Sequence, residues 1–408
     1  MHQHAAPVFA PSLPHRLWRR LPADARRRAL ARVTGWLVSR PKPGPVCPGL
    51  AIAGEFSRAS GLGEGARLMA TAARAANLPV WTIDLPPLAG GPGGIPMEMP
   101  ADGTSLPPPH VPLVLHVNGP LLPLALLRLP RSVTRHRPIV GYWAWELPDV
   151  PDDWRPAAAC VTQVWTPSRF TAAALDPLLP GRVRVVPPPL AEVAPCPSPR
   201  DRSGFGLPEA AVIVLVSFNL ASSCARKNPF AAIAAFRTAF GDRPDRFLLL
   251  KLGHADHAPA DHARIAALVA GTANIRLETR CFSPADNQAL IACADIVLSL
   301  HRAEGFGLVL AEAMLLGKPV VATAWSGSTE FMDDRSAVLI PCRLVPARDD
   351  RAVYRGAWAE PDVAEAVAAL RRLADDPALR NRIGLAAQRH ARTCLTAEPL
   401  LRAVEALR

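Results

Sequence analysis

No two of the eight cysteines, at positions 47, 160, 196, 224, 281, 293, 342 and 394, stand in a Cys-x-x-Cys pair. A zinc ribbon or a redox dithiol is therefore not expected. Thiols spread in this way read as single buried residues in a reducing compartment. Tyrosine is nearly missing, with two copies, and only 20% of the residues are charged. The first reflects a bias towards Ala, Arg and Pro. The second, with half the residues apolar, excludes a mainly disordered chain. The 45 prolines follow no Gly-x-y period, which excludes a collagen-like fibre. Apolar runs reach only about ten residues, too few to cross a bilayer. Prolines and arginines interrupt the N-terminal region before it could form a secretory leader, so a cytoplasmic protein is expected. Acidic residues are in deficit, 35 against 46 Lys and Arg, for a net charge of +11. Nucleic acid is not the expected partner of that charge, because no reader motif accompanies it and arginine is abundant throughout. A length of 408 residues suits two ordinary domains with sizeable cores.

Residues 1–45 form a basic extension. Arginines occupy positions 16, 19, 20, 26, 27, 28, 32 and 40 against Asp24 alone, with Trp18, Leu21, Leu30, Val33, Trp36 and Leu37 interspersed. The pattern predicts one or two short helices broken near Pro22. Two readings stay open: a helix lying on an anionic membrane surface, or one packed on the body by its apolar stripe. From residue 46 to 190, short apolar runs alternate with helical stretches. Strands are expected at 50–53, 79–83, 111–117, 139–143, 163–166 and 184–186, with a Pro/Gly-rich loop over 86–109. A Pro-rich linker follows at 190–208, and the alternation restarts. Strands are then expected at 212–216, 247–252, 275–277, 296–300 and 319–322, and helices at 229–240, 258–270, 284–293, 311–316, 362–376 and 378–392. Continuous apolar strands between helices indicate parallel sheets covered on both faces. Two such halves imply two doubly wound α/β domains facing a cleft.

The most informative segment runs from Ser299 to Glu312. A strand ends, the loop His301-Arg302-Ala303-Glu304-Gly305-Phe306-Gly307 turns, and a helix begins near Leu308. Amides at such a helix start attract phosphate, and the two glycines permit close backbone approach. Glu304 in the loop can accept bonds from sugar hydroxyls, and Glu312, more than a turn into the helix, can meet a ribose diol. Downstream come Gly317-Lys318-Pro319-Val320-Val321-Ala322 and Ser326-Gly327-Ser328-Thr329-Glu330. This ordered set resembles the retaining glycosyltransferases of the GT-B fold, in particular the large family numbered four. The resemblance implies that Glu304 touches the donor sugar and Glu312 holds the ribose. It places the backbone of Gly305, Phe306, Gly307, Leu308 and Val309 against the diphosphate and sugar.

Upstream, Ala225-Arg226-Lys227-Asn228-Pro229 opens a helix, and by the resemblance Lys227 binds the donor diphosphate. The family's usual arginine just after the preceding strand is replaced here by Asn219 or its neighbours, with Arg226 as the substitute. In the first half, the segment from Gly54 to Gly65 lies between strand and helix. It is not a G-x-G-x-x-G fingerprint, but it occupies the place of the family's N-terminal glycine loop, with Gly61 and Gly63 near donor phosphate and acceptor. His116 ends a strand on the same sheet edge, where ligands of doubly wound sheets bind, and is read as an active-site residue. Glu146, in Tyr142-Trp143-Ala144-Trp145-Glu146, is an acceptor-side candidate. His254, His257, Asp261 and His262 offer metal-ligand types but fit no known spacing, and the Asp pairs 152–153, 333–334 and 349–350 are not a strand-end Asp-x-Asp. No metal is expected, and no cofactor beyond the nucleotide sugar.

The resulting expectation is a first domain over 46–190 on the acceptor side and a second over 200–385 on the nucleotide-sugar side. A last helix, 386–408, would pack back on the first domain. The activity implied is retaining, metal-independent transfer of a hexose from a nucleoside diphosphate sugar to a hydroxyl. The acceptor would be a saccharide or a lipid-linked saccharide in surface polysaccharide or glycolipid synthesis, at the inner membrane face. Rival readings are an epimerase of the same fold and a non-catalytic nucleotide-sugar binding protein.

Overall fold

The computed structural model describes residues 20–42, 44–86, 88, 106–349 and 353–408. Arg16, Trp18, Arg19, Asp350 and most of the loop 86–109 lie outside the described residues. The first sheet contains β1 (Leu50–Gly54), β2 (Val80–Asp84), β3 (Leu113–Leu115), β4 (Ile139–Tyr142), β5 (Gln163–Thr166) and β6 (Val183–Val185). The second contains β7 (Val212–Asn219), β8 (Arg246–Gly253), β9 (Ile275–Glu278), β10 (Ile296–Ser299), β11 (Val320–Thr323) and β12 (Val338–Ile340). Both are wholly parallel, which is why their strands read as unbroken apolar runs.

The strand order is β2-β1-β3-β4-β5-β6 in the first sheet and β12-β11-β10-β7-β8-β9 in the second. Each order reverses once, between β1 and β3 in the first and between β7 and β10 in the second. A doubly wound sheet binds its ligand outside the strand ends at that point, because the loops there diverge to opposite faces and leave a crevice. The glycine loop and His116 follow β1 and β3. The Arg226-Lys227 turn and the Glu304 loop follow β7 and β10. Two reversals thus bring four segments to one cleft.

Strand β3 is shorter than the run 111–117 expected for it. Pro112 has no N–H to give the ladder, and only its carbonyl joins, accepting from Ala51 at 2.9 Å. A second difference is larger. The segment after β12 forms an antiparallel pair, β13 (Cys342–Pro346) and β14 (Ala357–Pro361), where the sequence pattern gave no element.

The basic helix begins at Ala23, directly after Pro22, and runs to Leu37. One face packs on the first domain: Ala31 and Thr34 are buried, and Arg27 pairs with Asp153 at 3.4 Å. The other face leaves Val33, Trp36 and Leu37 in solvent, Trp36 at 85% exposure. At the other end, helix Pro377–Cys394 packs on helix Leu308–Leu315 of the second domain. The last helix, Glu398–Glu405, instead crosses to the first domain and buries Leu400 and Val404 with Leu50, Ile52 and Met69.

Candidate active site

Strand β10 delivers Glu304 into the cleft, and the loop around it is gripped from several sides. The Glu304 amide donates to Ser326 Oγ at 2.8 Å, and the Gly327 amide donates to the Glu304 carbonyl at 2.9 Å. From the first domain, Ser168 Oγ donates to the Gly305 carbonyl at 2.6 Å. A side chain at Gly305 would press against the Trp145 carbonyl at 2.8 Å, so the two domains meet here only because that residue is glycine. Gly307, at a φ of +104°, then turns the chain into helix Leu308–Leu315, which carries no side-chain cap. Its first amides therefore stay available to an anion.

Glu304 is 8% exposed, and its carboxylate lies between two cations. Arg226 Nη1 reaches Oε2 at 3.2 Å, and Lys227 Nζ pairs with Oε1. Burial raises the Glu304 pKa, but Lys227 and Arg226 outweigh it and hold the group at about 2. Burial also lowers the Lys227 ammonium pKa, despite the pull of Glu304. Arg226 is 2% exposed; burial opposes its charge, and Tyr354, Glu146 and Glu304 more than restore it. As the sequence suggested, a helix opens here: Pro229–Phe240 starts directly after these cations, with Asn228 as its N-cap. Cys224–Lys227 is a single turn closed by Asn228 in the left-handed region, so Arg226 and Lys227 stand at its C-terminal end, which favours cations. The Arg226 guanidinium reaches the loop that follows β10, while Asn219 is spent accepting from the Ala221 amide at 2.8 Å.

Glu312 lies on the same helix, and its carbonyl accepts from the Leu316 amide at 3.0 Å. Burial, then the charge of Glu64, pushes its pKa up to about 8. Glu64 stands in the first turn of helix Gly61–Ala75, which follows the first domain's glycine loop, and pairs with Arg67 at 2.7 Å. That loop is tied internally. Ser57 bonds both oxygens of Asp84, and Ser60 caps helix Gly61–Ala75 by accepting from Gly63 at 3.0 Å. A Cβ at Gly63 would meet the Glu55 carbonyl, and one at Gly61 would lie 3.8 Å from Leu308 across the cleft. His116 sits behind this loop at 1% exposure, stacked on Tyr142 with ring centroids 4.3 Å apart. Its Nε2 is 3.4 Å from Met69 Sδ, Nδ1 has no hydrogen-bond partner, and burial lowers its pKa to about 3. The ring is neutral, so its part in any chemistry is that of a hydrogen-bonding or polar group rather than a cation.

Glu146 joins the same network from the first domain, with Oε1 at 3.5 Å from Arg226 Nη2. Among the described residues, His254, Asp256 and His257 place possible ligand atoms within 4.8 Å of one another, while Asp261 pairs instead with Arg264 at 3.8 Å. His254 Nε2 lies 3.2 Å from the Ala59 carbonyl of the glycine loop. Three members of the site were missed in the sequence. Ser326 braces Glu304, and Tyr354 touches Glu146. His301 lies under the loop between Ser299 and Ser328, held neutral by burial with a pKa near 4. His301 and Ser326 stood within motifs already singled out. Tyr354 had no local signal.

A family described as Family 4 Glycosyltransferase in conflict systems matches residues 184–396. D-inositol 3-phosphate glycosyltransferase of Thermomonospora curvata is 37% identical over 117 residues, 28% of this chain and 23% of that protein. Its counterpart in a Nocardioides species is 29% identical over 224 residues, 52% of this chain and 45% of the relative. The chain thus spans less than half the length of these curated relatives. Among solved structures, Anabaena HepE in complex with UDP and glucose superposes with a TM-score of 0.59 at 16% identity, covering 88% of this chain and 99% of that one. Sucrose-phosphate synthase from Thermosynechococcus elongatus gives 0.62 at 16% identity, covering 88% and 98%. At these identities the likeness concerns the fold, two doubly wound domains in the GT-B arrangement.

Proposed function

This chain belongs to the family 4 glycosyltransferases, whose match covers residues 184–396, and on that premise we propose that it transfers a hexose from a nucleoside diphosphate sugar to an acceptor hydroxyl with retention of anomeric configuration. The observation that carries the reading is the Glu304 carboxylate held between Lys227 and Arg226, at the mouth of an uncapped helix and opposite the glycine loop. An arriving diphosphate takes Lys227 and the amides from Gly305 to Val309 as its partners, and Glu304 turns to the sugar hydroxyls. Cations and amides aimed at the leaving diphosphate lower the barrier, because charge develops there as the glycosidic bond breaks. Glu312 holds the ribose. His116, Gly61 and Gly63 form the opposite wall, and Glu146 faces the acceptor.

The charge on Lys227 and Arg226 replaces a divalent ion in this scheme, so no metal is needed. The family match covers the second domain, which bears on the donor more than the acceptor. UDP and glucose are the ligands of the HepE structure, which makes a uridine diphosphate sugar the first donor to try. A lipid-linked saccharide at the cytoplasmic membrane face is the acceptor class that suits the basic N-terminal helix. The test is turnover of nucleoside diphosphate sugars with and without saccharide acceptors, in excess chelator. Transfer with the donor's anomeric configuration kept, undiminished by the chelator, is the expected result. Turnover restored only by magnesium or manganese would sink the metal-free scheme, and interconversion of the donor without acceptor would replace transfer by epimerisation.

A further inference from the structure

The β13–β14 hairpin leaves the second domain, yet its aromatic residues lie in the core of the first. Tyr354 and Trp358, 9% and 3% exposed, join the cluster of Trp145, Leu147 and Trp154. The Tyr354 ring stacks on Trp145 with centroids 5.4 Å apart, and the Arg226 guanidinium carbon lies 5.7 Å from the Tyr354 centroid. The Tyr354 hydroxyl donates to Glu146 Oε2 at 3.2 Å, while the other carboxylate oxygen stands 3.5 Å from Arg226 Nη2. The base of the hairpin is fixed to the segment that carries Glu304. The Ala359 amide donates to the Arg302 carbonyl at 2.9 Å, and Glu360 pairs with the Arg302 side chain at 2.7 Å. Toward the tip, Ser223 Oγ donates to Asp349 at 3.3 Å, beside the turn that holds Arg226 and Lys227.

We propose that Tyr354 is a positioning residue, whose hydroxyl holds the Glu146 carboxylate off a full pairing with Arg226 and keeps it turned to an acceptor hydroxyl. A carboxylate beside a guanidinium settles by preference into a two-pronged pair. Here that pairing would draw Arg226 away from Glu304 and close the edge of Glu146 that solvent still reaches, its side chain being 20% exposed. Burial raises the Tyr354 pKa, so the phenol stays protonated and keeps its hydrogen to donate. A hydroxyl acceptor needs a fixed oxygen to receive its own O–H bond while its lone pair faces the sugar. The held carboxylate supplies that oxygen. This inference rests on the transfer reading above.

Tyr354→Phe in the full chain keeps the ring on Trp145 and removes one oxygen. The probes are UDP, GDP and ADP for binding, and the corresponding nucleotide glucoses for release of nucleoside diphosphate. The variant should keep its melting temperature, its nucleoside diphosphate affinity and its donor KM. Its kcat should fall by roughly ten- to a hundredfold, the range for a mispositioned reacting group. Hydrogen exchange across 143–150 is a second readout that needs no substrate, and it should quicken in the variant. Wild-type kcat together with unchanged exchange would overturn the proposal and leave Tyr354 as packing. If the wild-type protein releases no nucleoside diphosphate from any donor, with saccharide acceptors present or absent, the transfer reading fails. Exchange at 143–150 then decides alone, quickening for the hold on Glu146 and constancy against it.

Discussion

Glu304 and Glu312 share one loop and helix, but their surroundings drive them in opposite directions. Glu304 is held ionised at about 2 against its burial, by Lys227 and Arg226. It adds stability above the ordinary glutamate range, and that stability is lost as pH falls through the folded value. Glu312 is the reverse case, raised to about 8 by burial and Glu64. In the unfolded chain it ionises near pH 4.3, about its ordinary value, while the folded group keeps its proton. The folded state then binds more protons across that window, so stability declines from the ordinary glutamate value up to about pH 8. Glu312→Gln removes this loss. Its advantage over wild type in urea midpoint should therefore grow between pH 5 and pH 8, and a constant difference would contradict the raised pKa. Truncation to Glu312→Ala should weaken nucleoside diphosphate binding by about 0.5–1.5 kcal/mol, the net worth of a hydrogen bond to an uncharged carboxyl. Calorimetry measures this directly, and unchanged affinity would reduce Glu312 to helical scaffolding.

At the scale of elements, two close approaches set the geometry of the second domain's side of the cleft. Helix Pro377–Cys394 crosses the turn after helix Leu308–Leu315, where Gly384 packs against the Gly317 carbonyl. In an isolated helix, Gly384→Ala would gain about 1 kcal/mol of propensity. Here the new methyl runs into a backbone oxygen that cannot rotate away, and overpacking of that kind costs about 1–3 kcal/mol. The clash should win. A lowered urea midpoint for Gly384→Ala is expected, with reduced nucleotide affinity because Gly317 ends the helix that bears Glu312. A raised midpoint would show that the two elements have room to part. The other close approach, at Gly305 and Gly327, joins the Glu304 loop to the turn after β11 and to the first domain.

Over the whole molecule, the basic helix Ala23–Leu37 has two faces with different partners. Ala31, Thr34 and the Arg27–Asp153 pair belong to the first domain, so deleting the helix would disturb the body as well as the surface. Val33, Trp36 and Leu37 are open to solvent, at 58%, 85% and 54% exposure, alongside Arg28 and Arg32. Arginine and tryptophan on one exposed face suit an anionic lipid surface. Trp36→Ser combined with Leu37→Ser should therefore reduce sedimentation with anionic vesicles and leave nucleotide affinity intact. Since exposed charges are screened within about 8 Å at physiological salt, wild-type binding should also weaken as salt rises. Equal sedimentation of both proteins would make the helix a structural element only.

The parallel sheets, the glycine loops and the Glu304 to Glu312 segment were legible in the sequence, because each is local. A buried strand must be apolar along its length, and a turn or helix start imposes its residues at fixed short spacings. Strand β3 came out shorter than its apolar run, since apolarity reports burial and not whether each residue pairs in a ladder. Beyond local spacing the sequence is silent. Tyr354 meets Glu146 across 208 positions, and Glu64 bears on Glu312 from the opposite domain. The hairpin that carries Tyr354 left no readable pattern, because its aromatic residues are buried against another domain rather than within a sheet of their own. Which segments line the cleft was set by local sequence. The protonation of Glu312, the placing of Arg226 between two carboxylates and the hold on Glu146 were decided only when the two domains closed on each other, since burial and charge act through space and not along the chain.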